Sequence, residues 1–351
     1  MKITLTTTKK EKPDFSKLGF GKYFTDHMLV MDYENGEWGE AEIIPYDSFK
    51  MAPSTAVLHY AQGIFEGCKA YKDKKGKITT FRTIDNFLRM NKSATRMCMP
   101  NLPVAIVLEA LYELLNIDSD WIPTEPGTSL YIRPTMIASD SALGVHASHS
   151  YKFFIILSPV GAYYANGLKP TKIYIEDNFV RAAIGGTGEA KCMGNYAASL
   201  LAAEEAQKRG YDQVLWLDAA EKKYVEEVGA MNMFFVIDGV VVTPMLTGSI
   251  LPGITRDSIL KILKKYGYKA EERKISVDEL YSAFKGGKLE EAFGAGTAAV
   301  VSPVGLISYK GEDMVINNGV MGKTAEFLYD KLTGIQCGRY EDEFGWINRL
   351  N

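Results

Sequence analysis

A lysine stands inside a cluster of glycines near the middle of this 351-residue chain. Gly185, Gly186 and Gly188 precede Lys191, and Gly194 follows it. Glycine lets the backbone approach a ligand closely and adopt positive φ angles. A lysine amine held by such a backbone, away from bulk water, can lose its proton and attack a carbonyl carbon. The cluster therefore predicts a Schiff-base lysine that holds an aldehyde cofactor.

The same glycines do not form a nucleotide-binding loop. The Walker pattern requires Gly-Lys-Ser/Thr at its end, but Ala190 precedes Lys191 and Cys192 follows it. The dinucleotide pattern Gly-x-Gly-x-x-Gly also fails, because Lys191 occupies the position of the last glycine after Gly186 and Gly188. Both failures favour the Schiff-base interpretation.

A Schiff-base cofactor needs an anion site for its phosphate, an acid partner for its ring nitrogen and a contact for its ring oxygen. Leu251–Thr255 leads directly into a predicted helix, whose first N–H groups and dipole would bind phosphate. Gly296–Thr297 offers a second turn with a hydroxyl group. Glu226 and Glu227 end a predicted strand, and a buried ionised carboxylate there would keep a pyridine nitrogen protonated.

Each of these residues also has an ordinary structural explanation. Glu227 taken alone is most often a solvated carboxylate at a strand end, and Ile254–Thr255 is most often a capped helix start. Arg89 lies off the predicted apolar face of its helix, where a surface arginine is the default. Tyr60 and Tyr131 would ordinarily be core or interface aromatics.

Composition excludes several function classes. A net charge of −3 without a basic stripe argues against nucleic acid or an anionic membrane surface as a partner. The four cysteines form no Cys-x-x-Cys pair, and His146-x-x-His149 lacks acidic or thiol partners, so no metal site is expected. Reduced thiols and an N-terminal segment without an apolar core favour a cytoplasmic protein. No apolar run approaches the ~20 residues of a membrane span.

The candidate site residues must be positioned by secondary-structure elements, and along the sequence the predicted strands and helices do not strictly alternate. Thr83 is a predicted N-cap of a helix whose apolar face carries Ile84, Phe87, Leu88, Asn91 and Ala94. Further elements are predicted as follows: a strand over Ser129–Arg133 that stops at Pro134, a helix over Asn195–Arg209, a hairpin turn at Asp238–Gly239, and a capping box of Ser276 with Glu279.

The length indicates about two domains, and the mixed pattern favours an α/β protein with α+β-like mixed sheets. The stretch from Pro159 to Pro170 is rich in turn residues. We therefore predict a smaller N-terminal α/β domain over residues 1–160, a linker over 161–175, and a larger C-terminal α/β domain over 176–351 that carries Lys191.

The chain resembles the branched-chain amino acid aminotransferases, which are pyridoxal-phosphate enzymes of fold-type IV. The resemblance covers nearly the whole chain, from Phe24 to the C-terminal region. It rests on these ordered motifs: LHYAQGIFEG at 58–67, SLYIRP at 129–134, GGTGEAKCMGNY at 185–196, EVGAMN at 227–232, ILPGITR at 250–256 and GAGTA at 294–298. It implies a homodimer of two-domain subunits, a C-terminal pseudobarrel and an active site between the domains.

The roles known for the family fall on matching positions. The resemblance implies that Lys191 is the Schiff-base lysine, which then shuttles the α-proton. Glu227 would pair with the pyridine nitrogen, and Tyr196 would contact the phenolic oxygen of the ring. The phosphate would be held by Arg89, Ile254, Thr255 and Thr297, the middle pair largely through backbone N–H groups. Arg181 would support that end of pyridoxal 5'-phosphate.

The resemblance also implies a substrate pocket, lined by Phe20, Tyr60, Phe65, Tyr131 and Ala298. Arg133 would receive the distal carboxylate of glutamate or 2-oxoglutarate. Val145, in an exposed loop, would reach the active site of the other subunit. An apolar wall with a cation at its edge can take both leucine and glutamate, because an alkyl group needs only dry surface.

Two features depart from the mammalian members of the family. Those members carry Cys-x-x-Cys after the Gly-Thr-Ala turn, whereas Ala299 and Ser302 stand here, so their redox switch is expected to be absent. Ala230 stands where those relatives have threonine, which removes one polar contact near the pocket.

The implied activity is a reversible amino transfer between leucine, isoleucine or valine and 2-oxoglutarate, with ping-pong kinetics. Two alternatives share the fold: a D-amino acid transaminase and an aminodeoxychorismate-type lyase. The Tyr131-x-Arg133 motif argues against both. A protein that binds pyridoxal phosphate without catalysis is the alternative from another class.

Overall fold

The computed structural model describes residues 1–161 and 169–350. The chain divides into two compact units. Unit 1 comprises residues 1–165, 190–193 and 334–351, and unit 2 comprises residues 166–189 and 194–333. Lys191 and the C-terminal residues thus belong to unit 1, whereas the sequence-based division placed them in the C-terminal domain. Of the predicted linker, residues 162–168 lie outside the described residues, and its last five residues belong to a strand, Thr171–Glu176.

Unit 1 is built on a ten-stranded sheet. Its strands are β1 (Lys2–Ile3), β2 (His27–Glu34), β3 (Glu37–Trp38), β4 (Glu42–Pro45), β5 (Gly63–Phe65), β6 (Cys68–Lys72), β7 (Ile78–Phe81), β8 (Ser129–Ala138), β9 (Tyr151–Val160) and β19 (Ile347–Arg349). The order is β1-β4-β2-β9-β8-β6-β7-β19, with β3 beside β2 and β5 beside β8. The α-helices are α1 (Ala56–Tyr60), α2 (Thr83–Arg96) and α3 (Val104–Ile117).

The two faces of β8 have different roles. Leu130 and Ile132 belong to a hydrophobic core that also contains Phe87 of α2. Because side chains alternate along a strand, Tyr131 and Arg133 occupy the opposite face. The helices therefore cover one side of the sheet, and the residues predicted to bind substrate lie on the other.

Pro134 does not end β8, which continues to Ala138. The neighbouring strand is interrupted at this level, because β5 ends at Phe65 and β6 begins at Cys68. Proline lacks a backbone N–H and is tolerated where a ladder is interrupted. The Pro134 carbonyl still accepts a hydrogen bond from the Glu66 N–H at 2.8 Å.

The predicted apolar face of α2 is confirmed at Phe87 and Ala94, which are buried, but is wrong at Ile84 and Leu88. Ile84 and Leu88 are 45% and 49% exposed, whereas Asn86 and Arg89 are buried. The buried stripe continues to Ser93, so three polar residues at helical spacing face the protein interior. A helical period that counts only apolar residues does not predict that polar residues are buried, because their burial depends on partners elsewhere in the chain.

Unit 2 is built on a nine-stranded sheet. Its strands are β10 (Thr171–Glu176), β11 (Gln213–Leu217), β12 (Val225–Val228), β13 (Met231–Ile237), β14 (Val240–Pro244), β15 (Ala270–Arg273), β16 (Leu289–Gly296), β17 (Val300–Tyr309) and β18 (Glu312–Val315). The order is β12-β11-β10-β17-β16-β13-β14-β15, with β18 beside β17, and a β12–β13 pairing closes part of the sheet into a ring. Parallel and antiparallel pairs both occur, which confirms the predicted α/β class with mixed sheets.

The helices of this part of the chain are α4 (Met193–Ala197), α5 (Leu200–Lys208), α6 (Ile254–Lys265), α7 (Val277–Lys285) and α8 (Lys323–Gln336). The predicted helix over 195–209 is therefore two helices. The predicted hairpin joins β13 to β14, with positive φ at both Asp238 and Gly239. Ser276 Oγ accepts the Glu279 N–H at 3.0 Å, as its capping role predicts. Among the described residues no helix is long and apolar enough to cross a membrane.

Candidate active site

Backbone hydrogen bonds fix the position of Lys191. Its N–H donates to Ser93 Oγ at 2.9 Å, and its carbonyl accepts the Phe65 N–H at 3.0 Å. Ala190 and Cys192 on either side are buried. The Lys191 Nζ lies 4.9 Å from the centre of the Phe65 ring. The amine is therefore carried by a fixed backbone and packs against an aromatic wall of unit 1.

A buried ion pair lies close to this lysine. Glu66 is fully buried and Arg89 is 6% exposed, so the surface default for Arg89 is wrong. Two guanidinium nitrogens of Arg89 contact the two carboxylate oxygens of Glu66. Burial alone would raise the pKa of Glu66, but Arg89, Lys191 and a hydrogen bond from Asn86 lower it below its usual value. Glu66 is therefore a carboxylate that holds Arg89 in place.

Asn86, Arg89 and Ser93 form one polar stripe of α2. The first two bind Glu66, and Ser93 accepts from the backbone of Lys191. Sequence reasoning found Arg89 but missed Glu66, Asn86 and Ser93. The one available signal was Glu66 itself, an acid among apolar residues in the segment GIFEG.

Arg133 lies between two aromatic rings, on the face of β8 that also carries Tyr131. Its guanidinium carbon is 4.9 Å from the Phe65 ring centre and 5.3 Å from that of Tyr131. Its Nη2 donates to Tyr131 Oη at 3.3 Å, while its Nε is buried without a hydrogen-bond partner. Phe20 packs edge-on against Tyr131 at 4.9 Å. The predicted residues thus form an aromatic wall with a cation, and the unpartnered Nε fits a carboxylate ligand.

Tyr60 and Val145 belong to a different part of unit 1. Tyr60 Oη donates to the Leu143 carbonyl at 2.5 Å. Leu143 is 65% exposed and Val145 is 86% exposed. Among the hydrogen bonds and ring contacts of the described residues, none joins Tyr60 or Val145 to Lys191.

In unit 2, Glu227 is a buried carboxylate of β12, which contradicts the solvated strand-end explanation. Its Oε2 lies 2.8 Å from Arg181 Nε in a buried ion pair. Its Oε1 accepts the Leu251 N–H at 2.9 Å and Asn232 Nδ2 at 3.3 Å. These donors favour the ionised form, which a ring-nitrogen partner requires. Arg181 contacts Glu227, whereas the resemblance implied support of the phosphate end.

The glycines around these residues permit close backbone approaches. A Cβ at Gly188 would lie 2.1 Å from the Ser249 carbonyl oxygen, and one at Gly253 would lie 2.0 Å from Asn232 Oδ1. Gly253 is the N-cap of α6, which begins with Ile254 and Thr255. No side chain caps this helix start, so its N–H groups and dipole suit a phosphate.

Tyr196, Thr297 and Ala298 are half-buried residues of unit 2. Tyr196 lies in α4, whose start is held by Asn195, because Asn195 Nδ2 donates to the Thr187 carbonyl at 2.7 Å. Thr297 and Ala298 occupy the turn between β16 and β17. Tyr196, the expected contact of the ring oxygen, thus lies on a short helix, and Thr297, an expected phosphate contact, lies in a short turn.

These residues fit pyridoxal 5'-phosphate. Taken separately, unit 1 carries a lysine amine and a buried arginine, and unit 2 carries a buried carboxylate, a helix N-terminus and a threonine turn, each suited to one part of this cofactor. The specific evidence for the fit is the buried Glu227 carboxylate and the start of α6, which no side chain caps. No group of three potential metal ligands occurs in the described part of the chain.

Comparison with known proteins gives consistent matches. Residues 63–307 match the family model described as amino-transferase class IV. The chain is 55% identical to branched-chain-amino-acid aminotransferase 2 of Bacillus subtilis (strain 168), over 100% of this chain and 97% of that protein. It is 54% identical to a probable branched-chain-amino-acid aminotransferase of Staphylococcus aureus (strain MRSA252), over 99% of this chain and 97% of that protein.

Solved structures show the same similarity. The branched-chain amino acid aminotransferase of Escherichia coli superposes with a TM-score of 0.78 at 30% identity, over 93% of this chain and 99% of that chain. The T.th. branched-chain amino acid aminotransferase complexed with N-(5'-phosphopyridoxyl)-L-glutamate gives a TM-score of 0.74 at 29% identity, over 95% of this chain and 99% of that chain.

Proposed function

The chain belongs to the class IV amino-transferase family, and from this premise we propose that it exchanges amino groups between branched-chain amino acids and 2-oxoglutarate. Relatives at 54–55% identity over essentially the full chain are named for the branched-chain activity. They support this function over a D-amino acid transaminase, an aminodeoxychorismate-type lyase or a non-catalytic protein.

One observation carries the proposal. Lys191 Nζ and the Arg133 guanidinium each lie 4.9 Å from the centre of the Phe65 ring. A nucleophilic amine and a cation for carboxylates thus share one aromatic wall. An alkyl side chain can pack on this wall, and an acidic one can pair with Arg133. This arrangement suits an enzyme that accepts leucine in one half-reaction and 2-oxoglutarate in the other.

Pyridoxal 5'-phosphate is the cofactor of this family, and when bound it supplies an electron sink for negative charge at the substrate α-carbon. Lys191 would anchor its aldehyde, Glu227 its ring nitrogen and Tyr196 its ring oxygen. Its phosphate would be held by Arg89, Ile254, Thr255 and Thr297.

The protein's own residues then control charge and protons. Arg181 pairs with the Glu227 carboxylate, and a carboxylate at this position would hold a proton on the ring nitrogen of the cofactor. The Lys191 amine would take the proton from the substrate α-carbon and deliver it to the carbon of the cofactor that carries the aldehyde when free. The rings of Phe20, Phe65 and Tyr131 exclude water from the reacting groups.

We further propose that the enzyme acts as a homodimer in the cytoplasm. The loop that carries Leu143 and Val145 exposes apolar side chains to solvent. An exposed apolar loop of this kind supports a contact with a second subunit, where Tyr60 and Val145 would complete the substrate pocket. The linker over residues 161–175 stays a prediction.

The absorbance of the purified protein tests the proposal. A yellow cofactor band should fade when L-leucine is added and return when 2-oxoglutarate is added. D-Leucine is the control, because it should leave the band unchanged. A colourless protein, or a band that L-leucine does not change, would contradict the proposed function.

A further inference from the structure

Two adjacent glutamates of β12 are buried. Glu226 is 4% exposed and Glu227 is 3% exposed. The nearby Arg181 is committed to Glu227, because its Nε forms the ion pair and its Nη2 donates to the carbonyls of Gly188 and Ser249. A second ionised carboxylate at Glu226 would share this one cation, so it would be poorly compensated.

The contacts of Glu226 favour a neutral acid. Its Oε1 makes a hydrogen bond with Ser249 Oγ, which is 2.9 Å from Thr247 Oγ1. Its Oε2 is buried and has no hydrogen-bond partner. Ser249 Oγ donates to Oε1, so the unpartnered oxygen is Oε2. A neutral carboxyl leaves no charge on Oε2, and burying an unpaired neutral group costs far less than burying an unpaired charged oxygen.

The segment that Glu226 holds leads to the cofactor site. Ser249 lies in residues 247–253, which end at the N-cap of α6. Within this segment the Leu251 N–H donates to Glu227 Oε1 and the Leu251 carbonyl accepts Asn232 Nδ2. Both glutamates therefore fasten the same segment to β12, from neighbouring positions of one strand.

We propose that Glu226 is the neutral member of this pair of carboxyls and a positioning residue for the cofactor site. Through Ser249 it fixes residues 247–253, and it thereby sets both the N-terminus of α6 and the Leu251 N–H that faces Glu227. The effect on the cofactor rests on the proposed function, whereas the charge state of Glu226 does not.

The charged groups around Glu226 set the direction of its pH dependence. Burial raises the pKa of Glu226, and the nearby Asp218 also raises it. The hydrogen bond from Ser249 and the charge of Arg181 lower this pKa, but they do not cancel the rise. Glu227 is the adjacent carboxylate. The folded protein then keeps a proton that the unfolded chain releases above its ordinary pKa of 4.5. Folding therefore becomes less favourable as the pH rises, until the folded group also ionises.

Unfolding of the full-length protein in urea between pH 5 and pH 8 tests the charge state. Glu226→Gln cannot release a proton, so its stability advantage over wild type should grow with pH. The ratio of the two unfolding constants should change by up to about tenfold per pH unit, the slope for one proton. An advantage that is constant or shrinks with pH would overturn the proposal. In the infrared spectrum at pH 5, just above the ordinary pKa of 4.5, Glu226→Gln should also lose the band of a protonated carboxyl; an unchanged spectrum would overturn the proposal.

Titration of the apoprotein with pyridoxal 5'-phosphate tests the positioning role. Glu226→Gln keeps the shape of the side chain and a hydrogen-bond donor, so it should change the dissociation constant of the cofactor by less than about threefold. Glu226→Ala and Ser249→Ala each remove a buried hydrogen bond, so they should raise this constant by about tenfold. Equal losses in the Gln and Ala variants would overturn that role. If Glu226→Ala does not fold, Ser249→Ala is compared with Glu226→Gln instead.

If leucine does not change the absorbance band of the cofactor, the proposed function is contradicted. The unfolding and infrared measurements still decide the charge state of Glu226.

Discussion

Arg89 donates two hydrogen bonds to the Glu66 carboxylate, from Nε to Oε1 at 2.7 Å and from Nη2 to Oε2 at 2.9 Å. Asn86 Nδ2 adds a hydrogen bond to Oε2 at 3.0 Å. Both charged side chains are buried. Such a pair fixes the guanidinium in one orientation, which is what the proposed phosphate contact of Arg89 requires.

Glu66→Gln should destabilise the protein strongly. It leaves the Arg89 charge buried without a counter-ion, and breaking one side of a buried pair costs about 3–5 kcal/mol. Urea unfolding at pH 7 measures this loss. The matched control is Glu204→Gln, because Glu204 pairs with Lys208 at 2.7 Å and both side chains are exposed; that change should have little effect on stability, because solvent screens an exposed pair. Similar losses for the two variants would contradict the role assigned to burial.

Two glycines on either side of Lys191 should respond oppositely to alanine. Gly188→Ala places a Cβ 2.1 Å from the Ser249 carbonyl oxygen, and because backbone cannot easily move, we expect a loss of about 1–3 kcal/mol. Gly194 lies in α4 with open space around its Cβ position, so Gly194→Ala should stabilise by about 0.5–1 kcal/mol. Thermal unfolding measures both. If the two changes have the same sign, the close approach at Gly188 is not what requires glycine.

Arg133→Ala should impair 2-oxoglutarate far more than leucine. The distal carboxylate loses its cation, and a hydrogen bond to a charged group contributes about 1.5–3 kcal/mol, or roughly ten- to hundredfold in kcat/KM. Leucine loses only packing against this part of the wall. Tyr131→Phe is the matched control, since it keeps the ring but removes the hydroxyl that accepts from Arg133. Equal losses for both substrates would count against the assigned role of Arg133.

Lys191→Ala should abolish most of the activity without unfolding the protein. The amine is lost, and a positioned proton-transfer group contributes about 10²- to 10⁴-fold to rate. The hydrogen bonds that hold residue 191 involve its backbone and therefore persist. Single-turnover kinetics and thermal unfolding measure the two effects. A variant that keeps a tenth of the wild-type rate would argue that Lys191 Nζ is not the proton carrier.

The sequence predicted local features well where a short pattern determines them. The Asp238–Gly239 turn and the Ser276 N-cap are confirmed because turns and caps depend on a few adjacent residues. The other half of the capping box is not formed, since the Glu279 carboxylate pairs with Arg273. The prediction for Lys191 came from residue types and spacing alone. The resemblance then added the activity and the cofactor, which the comparisons confirm.

Features that depend on distant partners could not be predicted. Arg89 is buried because Glu66, far away in sequence, lies opposite it. Pro134 remains inside a strand because the neighbouring strands break at that level. Arg181, in the loop after β10, contacts Glu227 on β12, and no local pattern in either segment indicates this ion pair. The motifs thus identify which residues matter, while long-range pairing decides their charges and orientations.

Asp140 should make the exposed loop of Val145 sensitive to acid. Its Oδ1 accepts from Ser150 N and Oγ at 2.8 and 2.6 Å, and its Oδ2 accepts the His149 N–H at 2.8 Å. Burial alone would raise the pKa of Asp140, but these hydrogen bonds lower it to about 2. The carboxylate therefore stabilises the loop fully above the ordinary pKa near 3.8, and this stabilisation is lost as the pH falls towards 2.

Asp140→Asn should consequently weaken the loop at pH 5 and above, because an amide accepts fewer of these hydrogen bonds. Hydrogen exchange of the amides of His149 and Ser150 measures the effect, since both donate to Asp140. Wild type should exchange more slowly than the variant at pH 5, and the difference should disappear between about pH 4 and pH 2. Asp313→Asn, at an exposed position of β18, is the control and should leave this exchange unchanged. A difference between wild type and Asp140→Asn that persists at pH 2 would show that the charge of Asp140 does not hold the loop.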